Sequence, residues 1–330
     1  MAISRLPSIV LLALLGLPTD LYAQQTFETV GERALGMGGA FVAVADDATA
    51  VHWNPAGLVH GGPAGVTIGW NRFQFGNQKE APTPGVLRRS TTFTSLGTWP
   101  LGLSYGQFRV TQVAETPAGT GAGTGLSVES LATRQFGVTI LQSVTEGLVV
   151  GSTLKYVRGS LVSAPTAALT AEKALDDGDR LDAGSKGAFD LDLGVMADME
   201  RVRVGVTVKN LREPEFRDLA GNAIRLDRLA RLGLAVLPTD GLTLAMDVDL
   251  NTVDLRDGPR RMFALGGEGR LGPRLAVRAG VRWNLEGIRH PVGATGASVL
   301  LRPGLWLDGH FSQGRVNEAR EFGVALRAGY

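Results

Sequence analysis

The carboxyl-terminal stretch EFGVALRAGY, residues 321–330, decides the fold class of this sequence. Phe322, Val324 and Leu326 alternate with small or charged residues such as Gly323 and Arg327. Because successive side chains of a β-strand point to opposite faces, this period of two predicts a strand with one apolar face. The apolar face suits contact with lipid, and the other face suits a water-lined interior.

The same alternation recurs upstream in segments of about ten residues, the length that a tilted strand needs to cross a bilayer. The connections between the segments alternate between tight turns and longer links, as in outer-membrane barrels. The predicted strands are 63–74, 88–99, 101–112, 129–143, 147–159, 187–198, 201–211, 224–237, 241–251, 260–270, 274–284, 293–302, 304–313 and 319–330. We therefore predict an all-β fold, a transmembrane antiparallel β-barrel of about 14 strands over residues 61–330. A soluble periplasmic β-protein is the alternative, since sandwiches also alternate.

Residues 1–23 have the pattern of a secretory signal peptide. Arg5 supplies the positive charge, residues 6–17 supply a short apolar run, and Ala23 is a small residue at the expected cleavage site. No other apolar run reaches the ~18 residues of a transmembrane helix. We expect cleavage near Ala23 and export to the outer membrane of a Gram-negative-type cell, with a membrane anchor as the alternative.

Residues 24–60 do not alternate and consist largely of small residues, which allow close packing in a confined space. Their order, G-x-x-A-x-G-x-G-G-A, then D-D-A-x-A, then N-P-A-G-L, resembles the N-terminal hatch of the FadL/TodX-type outer-membrane transporters, and their PorV-like relatives most closely. The resemblance implies that this segment plugs the barrel lumen. The residues that it assigns to the hatch and gate are Gly36, Gly38, Gly39, Asp46, Asp47, Asn54, Pro55 and Ala56.

The resemblance implies passive transport of a small hydrophobic molecule that the hatch admits. The alternative is a PorV-like accessory barrel of a secretion system, which binds protein partners. Charged residues on the strands fall on the lumen face and do not suit a hydrophobic path throughout. We expect them to pair in a network that braces barrel and hatch, in preference to a selectivity filter. The main lumen charges are Asp190, Asp192, Asp247, Asp249, Arg278, Arg282 and Arg327.

The third predicted strand changes phase at Gly106. Tyr105 continues the apolar parity of the residues before it, whereas Phe108 and Val110 take the other parity. A bulge or kink at the glycine would restore the apolar face. The resemblance implies a similar kink, through which a hydrophobic molecule leaves sideways into the membrane. A harmless edge effect is the alternative.

The remaining composition favours no enzyme, cofactor or nucleic-acid partner. The net charge is +1, there is no cysteine, and the four histidines lack metal-ligand spacing. No Lys-Ser or Lys-Thr follows the glycines of the N-terminal segment, and no G-x-S-x-G motif occurs, so neither a phosphate loop nor a serine hydrolase is indicated. The expected partners are outer-membrane lipid and the barrel insertion machinery. That machinery would read the last strand through Gly323, Leu326 and Tyr330.

Overall fold

The computed structural model describes residues 27–115, 125–181, 184–217, 223–255, 258–287, 290–314 and 319–329. Fourteen strands in this part of the chain close into one antiparallel barrel, which confirms the predicted fold class and strand number. They are β1 (Ala64–Phe75), β2 (Leu87–Thr98), β3 (Leu101–Glu115), β4 (Leu126–Thr145), β5 (Leu148–Thr166), β6 (Lys186–Met199), β7 (Val202–Lys209), β8 (Leu229–Thr239), β9 (Leu242–Asp249), β10 (Met262–Arg270), β11 (Leu275–Asn284), β12 (Val292–Arg302), β13 (Leu305–Gly314) and β14 (Ala319–Gly329). The predicted signal peptide and Tyr330 lie outside the described residues.

Each barrel strand pairs with its neighbours in sequence, and β1 pairs with β14 to close the ring. Two predicted strands were too short, because pairing between β4 and β5 continues as far as Leu126 opposite Thr166. The predicted strand 224–237 began too early, because Ala223–Arg225 pairs instead with Glu215–Arg217 in a separate small hairpin. The sequence did not predict the longer β4 and β5 or the small hairpin, because these segments are polar and do not alternate strongly.

The N-terminal segment, residues 27–60, precedes β1 and lies inside the barrel. It contains α1 (Glu32–Gly36), α2 (Ala50–Trp53) and a 3₁₀ turn at Pro55–His60. Asp47 accepts hydrogen bonds from the backbone and hydroxyl of Thr49 just before α2 begins. The first bond satisfies the backbone N–H of Thr49, the residue that precedes α2.

The two ends of the barrel differ. One end has only the short turns 99–100, 146–147, 200–201, 240–241, 271–274 and 303–304. The other end has the longer connections, which carry α3 (Ala171–Arg180) and two small hairpins, Glu215–Arg217 with Ala223–Arg225 and Val253–Leu255 with Gly258–Arg260. Outer-membrane barrels place their short turns on the periplasmic side.

Apolar side chains cover the outward face of the barrel. Ile68, Phe136 and Val324 are 53%, 49% and 54% exposed, whereas the adjacent inward residues Thr67 and Ala325 are buried. A soluble protein rarely leaves so continuous an apolar surface uncovered. No helix in the described part of the chain is long and apolar enough to cross a membrane.

The predicted kink at Gly106 is wrong. Strand β3 pairs without interruption with β2 over Leu101 to Gln112 and with β4 over Leu101 to Glu115. The phase changes because Phe108 points inward, where it packs beside the N-terminal segment, and Gly106 leaves room for its ring. The strand therefore bears an apolar residue on the lumen face without any bulge.

Candidate functional site: the N-terminal segment inside the barrel

Glycine residues of the barrel wall lie where the N-terminal segment contacts it. Residues 27–58 of the segment are buried, apart from Asp46 and Asp47, which are partly exposed. A methyl group added to Gly280 on β11 would lie 2.2 Å from the carbonyl carbon of Met37, and one added to Gly151 on β5 would lie 2.5 Å from the backbone of Pro55. These glycines allow the segment to touch the wall backbone directly.

The predicted glycines of the segment lie at the same interface. Gly38 and Gly39 adopt φ of +70° and +90°, a region that favours glycine. A methyl group on Gly36 would lie 3.1 Å from the Cα of Gly296 on β12. Two of the three glycines thus permit a turn that other residues adopt at a cost, and the third permits close approach.

Backbone groups of the segment are bound by side chains from the wall. Asp247 accepts hydrogen bonds of 3.0 Å from the backbone N–H groups of Phe41 and Val42. The side chain of Asn54 donates 3.0 Å bonds to the carbonyls of Val42 and Val195, so it joins two parts of the segment to β6. The bonds to Phe41 and Val42 satisfy buried backbone groups of the segment that lie outside its helices.

The predicted Asn54, Pro55 and Ala56 form a compact contact with the wall. The side-chain oxygen of Asn54 accepts a hydrogen bond from the backbone N–H of Ala56 and so caps the 3₁₀ turn. A methyl group on Gly194 would lie 2.2 Å from that same oxygen. No larger residue at position 194 would leave room for the asparagine.

Arg33 is the centre of one buried charge cluster. It makes a bidentate contact with Glu268 on β10 at 2.7 and 2.8 Å, and it also binds Asp46 and Asp47 of its own segment. Glu268 in turn accepts a bond of 2.5 Å from Arg278. The predicted Asp46 and Asp47 therefore orient an arginine that fastens the segment to the wall. Bidentate arginine–carboxylate pairs are among the strongest side-chain contacts.

Glu28 is the centre of a second cluster. It pairs with Arg231 on β8 at 2.6 Å and with Arg260 from the second hairpin, and Arg231 also binds Asp249 at 2.6 Å. Burial by itself would raise the pKa of Glu28, but Arg260 and Arg231 outweigh it and hold that pKa well below its usual range. Glu28 is therefore charged, and it ties the start of the segment to both a strand and an outer loop.

The other predicted lumen charges pair within the wall. Lys155 lies 3.0 Å from Asp190 and 2.7 Å from Asp192. Arg282 binds Glu321 at 2.7 Å, and Arg327 binds Asp308 at 2.9 Å. All seven predicted lumen charges lie on the inner face, and the partners of each lie within the barrel or on the N-terminal segment.

Glu32 differs from these groups because no cation among the described residues pairs with it. Its carboxylate lies in the space beside Gly69 and Gly323, where an added methyl group would come within 2.8 Å of it. Burial raises the pKa of Glu32 to about 8, with a further contribution from the carboxylates of Asp308 and Glu321. At neutral pH the docked segment therefore holds a protonated carboxyl group.

Aromatic side chains of the segment and the wall form one cluster. The ring of His52 stacks on Phe108 and meets Phe93 edge to face, with centroids 6.4 and 5.8 Å apart. Phe27 and Trp53 complete the cluster from the segment side. Burial and Lys209 of β7 lower the pKa of His52 well below its usual value, so the imidazole is neutral, while Lys209 and Arg231 lie over the ring of Phe27 at the edge of the cluster.

The long-loop end of the lumen is covered by the two small hairpins. Phe216 and Ile224 of the first hairpin are buried against the inner face of β5, on Gly159 and Leu161. Val253 of the second hairpin packs in the same cluster as the N-terminal segment. The lumen is therefore occupied by the segment and covered by loops.

The sequence analysis did not identify the side chains of the N-terminal segment that bind the barrel wall. Glu28 and Arg33 were not singled out, and His52 was considered only as one of four histidines without metal-ligand spacing, although charged and imidazole groups in a stretch of small residues are the available signal. Two residues of the predicted assembly signal lie on opposite faces of β14. Leu326 is 47% exposed on the outward face, and Gly323 faces inward against Asn71. No cluster of metal-binding side chains occurs among the described residues.

Comparison with known proteins gives the fold. The family described as "F plasmid transfer operon, TraF, protein" matches residues 91–249. No curated protein matches. Among solved structures, the Ralstonia pickettii toluene transporter TbuX is 13% identical, with 92% of this chain and 99% of that chain covered and a TM-score of 0.65. A Pseudomonas aeruginosa FadL homologue is 12% identical, with coverage of 91% and 98% and a TM-score of 0.64.

The Pseudomonas putida toluene transporter TodX is 14% identical, with 94% of this chain and 97% of that chain covered and a TM-score of 0.58. The similar solved structures are transport proteins and not enzymes. The chain therefore has the fourteen-stranded barrel fold of the FadL/TodX-type transporters.

Proposed function

We propose that this chain is an outer-membrane channel for a small hydrophobic molecule, and that the N-terminal segment is the hatch that gates it. The supporting observation is the buried position of residues 27–58 inside a closed barrel with an apolar outer surface. In this proposal a solute passes only when the segment moves. The proposal includes export by a signal peptide over residues 1–23, cleavage near Ala23, and residence in the outer membrane.

The side chains of the lumen that do not take part in ion pairs indicate the substrate class. The lumen charges bind one another or the segment, so they are not free to bind a polar solute. The aromatic cluster of Phe27, His52, Phe93 and Phe108 offers apolar contact at the place where the segment meets β2 and β3. The solved structures with this fold include toluene transporters, and an aromatic hydrocarbon fits such a cluster.

A PorV-like role as an accessory barrel of a secretion system is the narrower alternative. It predicts a protein partner that co-purifies with the barrel and no flux of small molecules. No contact among the described residues favours it over transport, so it enters as an outcome of the experiment below.

A disulfide lock tests the gating. The Cβ of Ala48 in the segment lies 4.0 Å from the position of a Cβ on Gly65 of β1, and disulfides need a Cβ separation of about 3.5–4.5 Å. The chain has no cysteine of its own, so Ala48→Cys with Gly65→Cys would create the single disulfide. We expect the oxidised variant in liposomes to take up toluene no faster than empty liposomes, and dithiothreitol to restore uptake.

The two single-cysteine variants are the controls, and they should transport toluene at the parent rate under both conditions. Heat modifiability on a denaturing gel would establish that every variant is a folded barrel. Undiminished uptake by the oxidised double variant would refute gating by the segment. Uptake by the parent no faster than by empty liposomes, together with a protein captured in pull-down, would favour the accessory role.

A further inference from the structure

A helix covers part of the outer wall of the barrel near the long-loop end. α3 packs on Val113 of β3 and Val128 of β4, both of which share the outward parity of Tyr105 and Phe136 on those strands. A methyl group on Gly178 would lie 2.2 Å from the side chain of Val128, so the helix lies directly on the strands. α3 is therefore outside the barrel, on the side that faces the membrane.

The barrel holds α3 by binding its acidic residues. Arg88 of β2 binds Asp176 at 2.6 Å and Asp179 at 3.2 Å. Thr111 donates a bond of 2.5 Å to Asp179, and Arg109 donates to the backbone carbonyl of the same residue. The carboxylates of α3 that face the wall are thus already occupied.

Between the end of α3 and the outward face of β1 to β5 lies a polar crevice of about 480 Å³. Four arginines line it against a single carboxylate, that of Asp179. The four are Arg109, Arg134, Arg158 and Arg180. Arg134 and Arg180 have no carboxylate partner among the described residues, and Arg158 donates only to the hydroxyl of Ser185. The crevice therefore has an excess of positive charge.

Arg134 and Arg158 are directly opposite each other on β4 and β5, and both are exposed. Like charges in that cross-strand position repel and destabilise a sheet. An anion held between the two guanidinium groups would remove the repulsion, and guanidinium groups match phosphate oxygens in geometry.

The depth of the crevice identifies the source of the anion. The next outward row toward the short-turn end is a cross-strand series of exposed aromatic residues, Tyr105, Phe136, Tyr156 and Phe189. Aromatic rows in membrane barrels lie at the boundary between hydrocarbon and head groups. Arg134 and Arg158 lie two residues beyond that row, about 7 Å farther from the membrane centre, which is the depth of lipid phosphates.

We propose that this crevice binds the phosphate of an anionic lipid in the outer leaflet, between Arg134 and Arg158 and beneath α3. The inference rests on the proposed function, because it requires that the barrel cross a membrane. A bound lipid would hold α3 against the wall and connect the outer loops to the surrounding leaflet.

The test uses the full mature chain in nanodiscs of phosphatidylcholine with one tenth phosphatidylglycerol. Native mass spectrometry counts the lipids that stay bound after release. We expect at least a tenfold enrichment of phosphatidylglycerol on the parent, and its loss in the double variant Arg134→Gln with Arg158→Gln. The control, Lys79→Gln with Arg212→Gln, removes two exposed cationic residues from other outer loops and should keep the enrichment.

Equal enrichment in the parent and the arginine variant, or none in either, would overturn the inference. A parent that binds inorganic phosphate in detergent at submillimolar concentration but shows no lipid preference would also overturn it, because the site would then serve a free anion. Heat modifiability and insertion into nanodiscs are measured first. A chain that fails there contradicts the proposed function itself, whereas an inserted barrel without lipid preference contradicts the inference alone.

Discussion

Glu32 should make docking of the N-terminal segment sensitive to pH. Its carboxyl group has a pKa of about 8 when docked, against an ordinary value of 4.5 when the segment leaves the wall and meets water. The docked state therefore binds a proton that the free state has released, and docking weakens as the pH rises between these two values. From pH 6 to pH 9 the loss is about 3 kcal/mol, or roughly 100-fold in the docking equilibrium.

Single-channel conductance in planar bilayers would measure this effect. The parent should show a higher open probability at pH 9 than at pH 6, and Glu32→Gln, which keeps the shape without the charge, should show the same low open probability at both. Glu172→Gln on the exposed face of α3 is the matched control and should behave as the parent does. An identical pH response of the parent and Glu32→Gln would refute the assignment of the response to this buried carboxyl group.

Three further changes probe the contacts of the segment and the outer face. Arg33→Gln leaves Glu268 without its bidentate partner, and breaking such a buried pair costs about 3–5 kcal/mol, so conductance should rise in bilayers. Gly280→Ala should also raise the conductance, because the added methyl group would lie 2.2 Å from the backbone of Met37 and such overpacking destabilises the docked segment by about 1–3 kcal/mol. The control Gly269→Ala has no atom within 4 Å of the added methyl group and should leave the conductance unchanged. Leu326→Asp places a charge in lipid at a cost of about 2–4 kcal/mol, and the amount of heat-modifiable barrel in the outer membrane should fall, whereas normal amounts would count against the outward placement.

The barrel could be predicted from the sequence because its two faces meet different solvents. In β14, for example, apolar residues occupy alternate positions and small or charged residues occupy the positions between them. This pattern alone shows which side chains face lipid and which face the lumen. The rule fails where a face is covered by protein. Beyond Gly106 the inner face of β3 meets the N-terminal segment and its outer face meets α3, so apolar residues occupy both parities. A kink was the natural interpretation of that change, and it was wrong.

The contacts of the N-terminal segment could be predicted only in part. The small residues indicated close packing, and Gly38 and Gly39 do adopt turns that favour glycine. The charges on the strands could be assigned to the lumen by parity, but parity cannot tell which carboxylate meets which arginine. Glu268 binds Arg33, which is 235 residues away, and no local pattern encodes that pairing. α3 was missed although its buried residues Ala171, Ala174, Leu175 and Gly178 recur at helical spacing, because three of the four are small and the linker around them is polar.

The charge density of the lumen, which first argues against a hydrophobic substrate, has a different meaning once the partners are known. Arg33 and Glu28 each bind a wall residue of opposite charge, and the remaining lumen charges bind one another. Paired and buried, these groups fix the position of the segment and offer little to a passing solute. The largest group of aromatic side chains that remains is the cluster around His52, where the segment meets β2 and β3, with Lys209 and Arg231 at its edge over Phe27. A polar lumen that holds the N-terminal segment in place is therefore compatible with the proposed passage of a hydrophobic molecule when that segment moves.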